Sequence, residues 1–144
     1  MAQQLLFSKD EEARIVKAIE QAEANTSGEI RVHIEHHPTD NPLERATFWF
    51  HKLKMERTKE RNGVLFYLSP VSRQFAIVGD KGIHEKVGAD FWNDIRDLMV
   101  SYFKQGQFAE GLIQGINRTG EKLKTFFPHQ DDDTNELSND ISFN

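Results

Sequence analysis

Between residues 80 and 97 the chain carries five carboxylates, Asp80, Glu85, Asp90, Asp94 and Asp97, with Lys81 and His84 among them. Asp90, Asp94 and Asp97 are spaced i, i+4, i+7, which on a helix puts them along one face. Next to a loop holding Asp80 and Glu85, they form the oxygen-rich surroundings that calcium or magnesium prefers. Asp80, Glu85, Asp90 and Asp94 are the candidate metal ligands, with Asp80 and Asp90 the best pair. The competing reading is a solvated helix face with Asp90 stabilised near the positive N-terminal end. Gly79-x-x-Gly82 could bring backbone N–H groups close to a phosphate, with Lys81 as counter-charge and Gly82 giving the approach; the same spacing also makes an ordinary turn. His84, beside Asp80, is the candidate for proton transfer.

Two other constellations rank lower. His33, His36 and His37 could hold zinc or nickel with Glu35, but strand alternation turns His33 away from the apolar face, and the other two sit in a polar loop. Asp131-x-Asp133-x-Asn135 opens like a calcium-binding EF-hand loop, yet Glu136 stands where glycine is needed and Ser142 where the closing glutamate is needed. The chain has no cysteine, which excludes disulfides, thiolate metal sites and cysteine nucleophiles. It also has no G-x-x-x-x-G-K-[ST] loop, G-x-S-x-G elbow or H-E-x-x-H pair.

The elements that must position these residues are legible in order. Ser8-Lys9-Asp10-Glu11 is a capping box, and Ile15, Val16, Ile19 and Ala22 follow at helical spacing, predicting a helix over about residues 9–24. From Glu29 the period becomes two, with Ile30, Val32 and Ile34 on one face of a strand and Glu29, Arg31, His33 and Glu35 on the other. Asn41-Pro42-Leu43-Glu44 starts a second helix, capped by Asn41. Its main buried stripe is Leu43, Ala46, Phe50 and Leu53, and Phe48, Trp49 and Met55 widen it, suggesting cover on more than one side. Residues 64–68 have no polar alternation, as in a central strand, and 74–78 return as an antiparallel partner. One helical turn, a helix over about 89–104 ended by Gly106 and a last helix over about 108–125 complete the fold. Strand, crossover helix and strand make a parallel unit. The product is a three-layer α/β/α sandwich on a small mixed sheet.

A chain of 144 residues is enough for one domain, placed here at residues 1–127. Residues 128–144 read as a disordered acidic tail, since they hold five acidic residues, no Lys or Arg, and little apolar content. The tail accounts for the whole net charge of −5. Without it the chain is neutral, so no basic field argues for nucleic acid or an anionic membrane. The longest apolar run is far short of a membrane span, and the N-terminus does not read as a secretory signal. A cytoplasmic monomer without membrane insertion is expected.

The segments Asn62-Gly63-Val64-Leu65, residues 73–79, Asp80-Lys81-Gly82-Ile83 and residues 103–111 resemble, in order and spacing, the TPM domain family. The resemblance covers residues 7–128. That family includes a thylakoid-lumen protein linked to photosystem II repair and acid phosphatase activity. The resemblance implies an α/β/α sandwich, a divalent cation site near the strand ends, calcium in particular, and at most weak phosphatase chemistry. Relatives often carry acidic residues just before the Arg of the hairpin turn, where this chain has Pro70-Val71-Ser72-Arg73. Many also have a signal peptide and membrane anchor, neither of which is expected here. The function expected is a divalent-cation-binding or regulatory module with little or no catalysis. The alternatives are a weak metal-assisted acid phosphatase and a metal-independent domain that meets an unidentified protein partner, through exposed aromatics at 48–50.

Overall fold

The computed structural model describes residues 7–129 and 135–144. Helix α1 (Lys9–Glu23) starts at the predicted capping box: Ser8 Oγ accepts from Glu11 N at 3.0 Å and Glu11 Oε1 accepts from Ser8 N at 2.9 Å. Strand β1 (Glu29–Ile34) leads through a loop into α2 (Pro42–Lys52), where Asn41 caps Glu44 N at 3.1 Å. A single 3-10 turn at Met55–Arg57 precedes β2 (Gly63–Ser69), and a tight turn returns β3 (Gln74–Gly79). The one-turn α3 (Lys81–His84), α4 (Asn93–Phe103) and α5 (Phe108–Phe126) follow, with Gly106 at φ 76° between the last two.

The sheet order is β3-β2-β1-β4, with β4 the short strand Ser142–Phe143. β1 and β2 are parallel, from Glu29 opposite Gly63 to Ile34 opposite Leu68, and β2 and β3 are antiparallel, from Val64 opposite Gly79 to Ser69 opposite Gln74. Every residue of β2 is buried, as its unbroken apolar run requires when both sheet faces are covered. On one face, α1, α4 and α5 pack Ile15, Ile19, Ile95, Met99, Leu112 and Ile116 against Ile30, Val32, Ile34, Val64 and Phe66. On the other, Phe50, Met55, Leu65 and Leu137 form a smaller core. The three-layer α/β/α sandwich on a mixed sheet is therefore the fold. No helix among the described residues is long and apolar enough to cross a membrane.

Three expectations are corrected. α4 starts at Asn93 rather than near residue 89, because turns occupy 89–92. Leu43, placed in the buried stripe of α2, is 59% exposed, while Ala46 and Phe50 carry that stripe. The largest correction concerns the tail. Residues 128–144 were expected to be disordered, yet among them Leu137 is buried and Ser142–Phe143 form β4, running parallel to β1 opposite His33 and Ile34. A low average of apolar residues concealed a well-spaced set: Leu137 enters the small core, Ile141 packs on the large one and Phe143 stacks on His36. Asp131 to Asp133 lie outside the described residues.

Candidate functional site

The predicted ligand cluster is spread over separate positions. Asp80 follows β3 directly, caps α3 and is almost buried, accepting from Arg61 Nε and Nη2 at 2.8 and 3.0 Å and from Lys81 N at 2.8 Å. Such a two-pronged guanidinium–carboxylate pair is among the stronger hydrogen-bonded ion pairs. Asp90 lies in the turn before α4 and accepts from Asn93 Nδ2 at 3.2 Å. Asp94 faces α5, held by Arg118 at 3.0 Å and Lys122 at 2.6 Å, and the Lys122 hydrogen bond keeps its carboxyl below the usual range. Glu85, Lys81 and His84 are exposed. Among the described residues no group of three or more histidine and acidic side chains stands in metal-binding geometry.

The α3 turn is likewise closed to a phosphate. Lys81 N is engaged by Asp80 Oδ1, and Gly82 N donates to the carbonyl of Arg61 at 2.9 Å. A Cβ on Gly82 would sit 2.2 Å from the Glu60 carbonyl oxygen and 2.5 Å from that of Arg61. This glycine is needed so that two backbone segments can touch, and the left-handed Arg61 (φ 52°) shapes the same contact.

Two polar clusters that the sequence reading did not assemble occupy the two ends of β1. At its start, Glu23, Glu29 and Glu20 line a cavity of about 230 Å³ together with Ser27, His129, Asn135 and Asn139. The last turn of α1 brings Glu20 and Glu23 there, and the short connection at 24–28 turns Glu29 back towards them. One oxygen of each inner carboxylate is fixed by a backbone amide: Glu23 Oε2 by Ile30 N at 2.9 Å and Glu29 Oε1 by Leu137 N at 2.6 Å. Glu29 is 4% exposed, and its Oε2 is buried with no hydrogen-bond partner among the described residues. Burial first, and then the charges of Glu29 and Glu20, push the Glu23 carboxyl up to about 8. Burial and the charge of Glu136 push Glu29 up to about 7. Among the described residues the lining holds no Lys or Arg.

At the other end of β1, Glu35 is 1% exposed and surrounded by donors. Arg45 Nε and Nη2 reach it at 3.0 and 2.6 Å, Trp49 Nε1 at 2.8 Å, Tyr67 OH at 2.5 Å and Asn144 Nδ2 at 3.2 Å. The Arg45 hydrogen bonds, chiefly, hold its carboxyl down at about 2. His33, fully buried, stacks on Trp49 with centroids 4.0 Å apart. Its Nδ1 meets Ser142 Oγ at 2.9 Å and its Nε2 meets Asn144 Oδ1 at 3.0 Å. Burial lowers this imidazole to about 4, so it is neutral at pH 7. His33 is thus a partner of the C-terminal segment, and its burial removes it from the histidine group considered for zinc or nickel.

Alternation of β1 had put Glu29, His33 and Glu35 on a polar face. The structure covers that face with α2 and residues 135–144. The widened aromatic stripe at 48–50 was the available signal, because Trp49 needs both an apolar surface and an acceptor for its N–H.

The connectivity, the parallel β1–β2 pair with its antiparallel neighbour, and the close α3 turn find a counterpart among known proteins. The TPM domain model matches residues 1–122. The chain belongs to the TPM domain family. This TPM domain is similar to the BA42 protein of the psychrophilic bacterium Bizionia argentinensis, with 45% identity, a TM-score of 0.93 and 99% of each chain covered. Two more distant solution structures share the fold. The N-terminal domain of a P. gingivalis protein has 24% identity and a TM-score of 0.63, covering 87% of this chain and 82% of that one. The N-terminal domain of cg2496 from Corynebacterium glutamicum has 16% identity and a TM-score of 0.61, covering 80% and 72%. No curated protein matches this TPM domain.

Proposed function

We propose that this TPM domain is a binding or regulatory module for a divalent cation, calcium before magnesium, at the mouth of the Glu23–Glu29 cavity. The observation that carries the reading is the buried Oε2 of Glu29, without a hydrogen-bond partner among the described residues, beside a second carboxylate raised by burial and like charge. The donor chemistry fits a hard cation, since Glu20, Glu23, Glu29, Asn135 and Asn139 all offer oxygen. The donors are not gathered beforehand, and binding draws them inward. Calcium tolerates such irregular oxygen sets, whereas magnesium demands a near-octahedral one. Turnover is not part of the reading, because the α3 turn that would cradle a phosphate has its amides engaged internally.

A second cation position has its own support. The Arg61 guanidinium lies within electrostatic reach of Glu56 and Glu85 as well as Asp80, and Glu56 Oε2, which has no hydrogen-bond partner among the described residues, lies 3.6 Å from His51 Nδ1. A metal there would have to displace the guanidinium from Asp80. The first position needs no such displacement and is preferred.

A calcium and magnesium titration of labelled protein, followed by backbone amide shifts, tests both. Saturable shifts at residues 20–30 and 135–139, lost in Glu29→Gln and kept in Asp80→Asn, are expected. Shifts centred on 56–61 and 80–85 and lost in Asp80→Asn would transfer the site to the Arg61 corner. An unchanged spectrum at millimolar cation, or shifts only at 131–133, would remove the cation reading.

A further inference from the structure

The sheet has one edge that no described residue pairs. β3 is the outermost strand on its side and is bonded to β2 alone. The Asp80 amide donates to the Gly63 carbonyl at 3.0 Å, which fixes the alternation of the antiparallel ladder. Gln74, Ala76 and Val78 turn their N–H and C=O groups to β2, and Phe75 and Ile77 turn theirs outward. Among the described residues nothing bonds to the outward groups of Phe75 and Ile77. Residues 74–78 are all part-exposed, whereas every residue of β2 is buried.

Both faces of β3 are held in place. Phe75 meets Phe103 of α4 edge-on at 5.2 Å and packs with Ile77 on the large core, while Val78 packs on the small core under α2. The strand is therefore open only sideways, in the plane of the sheet. Sheets usually block such an edge with proline, charge or a bulge. Residues 74–79 contain no proline and no charge, and their ladder with β2 is unbroken.

The open stretch is complementary to itself. Phe75 and Ile77 stand one residue to either side of Ala76, the centre of the part-exposed run. An antiparallel copy related by a two-fold axis at Ala76 sets each Phe75 opposite Ile77 of the other copy, and every outward amide and carbonyl is then paired. An aromatic opposite a β-branched residue is a favourable cross-strand pair. At the axis Ala76 meets Ala76, so the position where side chains come closest holds only methyl groups. Charge agrees with this symmetry. α2 leads from the end of β1 back to the start of β2, so it runs in the same direction as β3. Its first turn carries Glu44 and its last turn His51 and Lys52. Glu44, Thr47 and His51 are exposed at i, i+3, i+7, on the flank away from Trp49, which lies over His33 of β1. That flank looks towards the β3 edge, and the two-fold axis brings the acidic end of one α2 beside the basic end of the other.

We propose that the β3 edge is a self-association site. Its occupant is β3 of a second copy of this chain, paired antiparallel about Ala76 so that the two sheets become one. An interface of this kind is isologous, so association closes at the dimer. The monomer expected from the sequence is then the dilute form. This proposal does not rest on the cation reading.

Sedimentation of the full chain over a concentration series, with hydrogen exchange measured at both ends of the series, is the test. A monomer–dimer equilibrium is expected. On going to the concentrated sample the amides of Phe75 and Ile77 should gain about tenfold in protection, while those of Ala76 and Val78, bonded to β2 in both forms, should not change. Ala76→Lys sets two like charges at the axis and should abolish association while keeping the amide spectrum of the folded chain. If that variant fails to fold, the alternating amide pattern of the unmodified protein decides alone. A chain that stays monomeric at millimolar concentration would overturn the proposal. Association that protects other amides and not those of Phe75 and Ile77, or that survives in folded Ala76→Lys, would do the same.

Discussion

The two ends of β1 carry buried glutamates six residues apart, and the protein treats them in opposite ways. Glu35 has five donor contacts from four side chains and is held at about 2. Glu29 has a backbone amide on one oxygen, no hydrogen-bond partner among the described residues on the other, and Glu23 and Glu136 nearby, and it is raised to about 7. The difference lies in which elements cross each end. α2 brings Arg45 and Trp49 over Glu35, whereas the turn after α1 brings Glu23 and Glu20 to Glu29. Residues 135–144 touch both, giving Glu29 the amide of Leu137 and Glu35 the side chain of Asn144. A satisfied buried carboxylate is a structural centre, and an unsatisfied one is stabilised by whatever positive charge arrives.

The largest effect should come from Glu35→Ala. It leaves Arg45, Tyr67 and the Trp49 N–H without their acceptor, and losing one partner of a buried pair costs about 3–5 kcal/mol. Urea unfolding measures it, and a loss below about 1 kcal/mol would show that Glu35 is not the centre of that end. Leu137→Ala should cost about 2 kcal/mol through the vacated space between Phe50, Met55 and Leu65. If that variant unfolds at the wild-type urea midpoint, residues 135–144 contribute nothing to the fold.

The pH dependence separates the two ends by sign. Glu23 and Glu29 are raised from 4.5 to about 8 and about 7. Between pH 4.5 and 8 the folded chain therefore holds protons that the unfolded chain has released, and their contribution falls as pH rises. His33 is lowered from 6.5 to about 4, and Glu35 from 4.5 to about 2. Their contributions are present above 6.5 and 4.5 and are lost as pH falls through 4 and 2. Melting temperatures should decline on both sides of the weakly acidic range. Calcium should raise the melting temperature more at pH 8 than at pH 5, where it competes with protons. Glu23→Gln should flatten the alkaline limb and leave the acid limb unchanged; a variant that alters both limbs equally would merge the two ends into one titrating network. The smallest change is expected from Asp90→Asn, an exposed group with one amide partner, within about 0.5 kcal/mol of wild type.

The sequence by itself determined the elements up to the end of α5, within a few residues, and the layered architecture, because these rest on local rules. The Ser8 capping box, the Asn41-Pro42 start, the unbroken apolar β2 and the left-handed Gly106 each act within a few residues. Capping, periodicity and turn chemistry leave few alternatives at that range. Family membership was legible for the same reason, from short motifs in a fixed order. The candidate site was legible only as a region. Asp80 does stand at a strand end, but its partner is Arg61, nineteen residues earlier, and Asp94 is claimed by Arg118 and Lys122 of another helix. Tertiary structure alone decided which carboxylates meet cations and which meet each other. Only the covering of the polar face of β1 by α2 and residues 135–144 turned Glu29, His33 and Glu35 from an apparently solvated stripe into buried groups. Alternation says which side chains share a face. What lies against that face depends on segments up to about a hundred residues away, joined to it by packing and hydrogen bonds that no local pattern encodes.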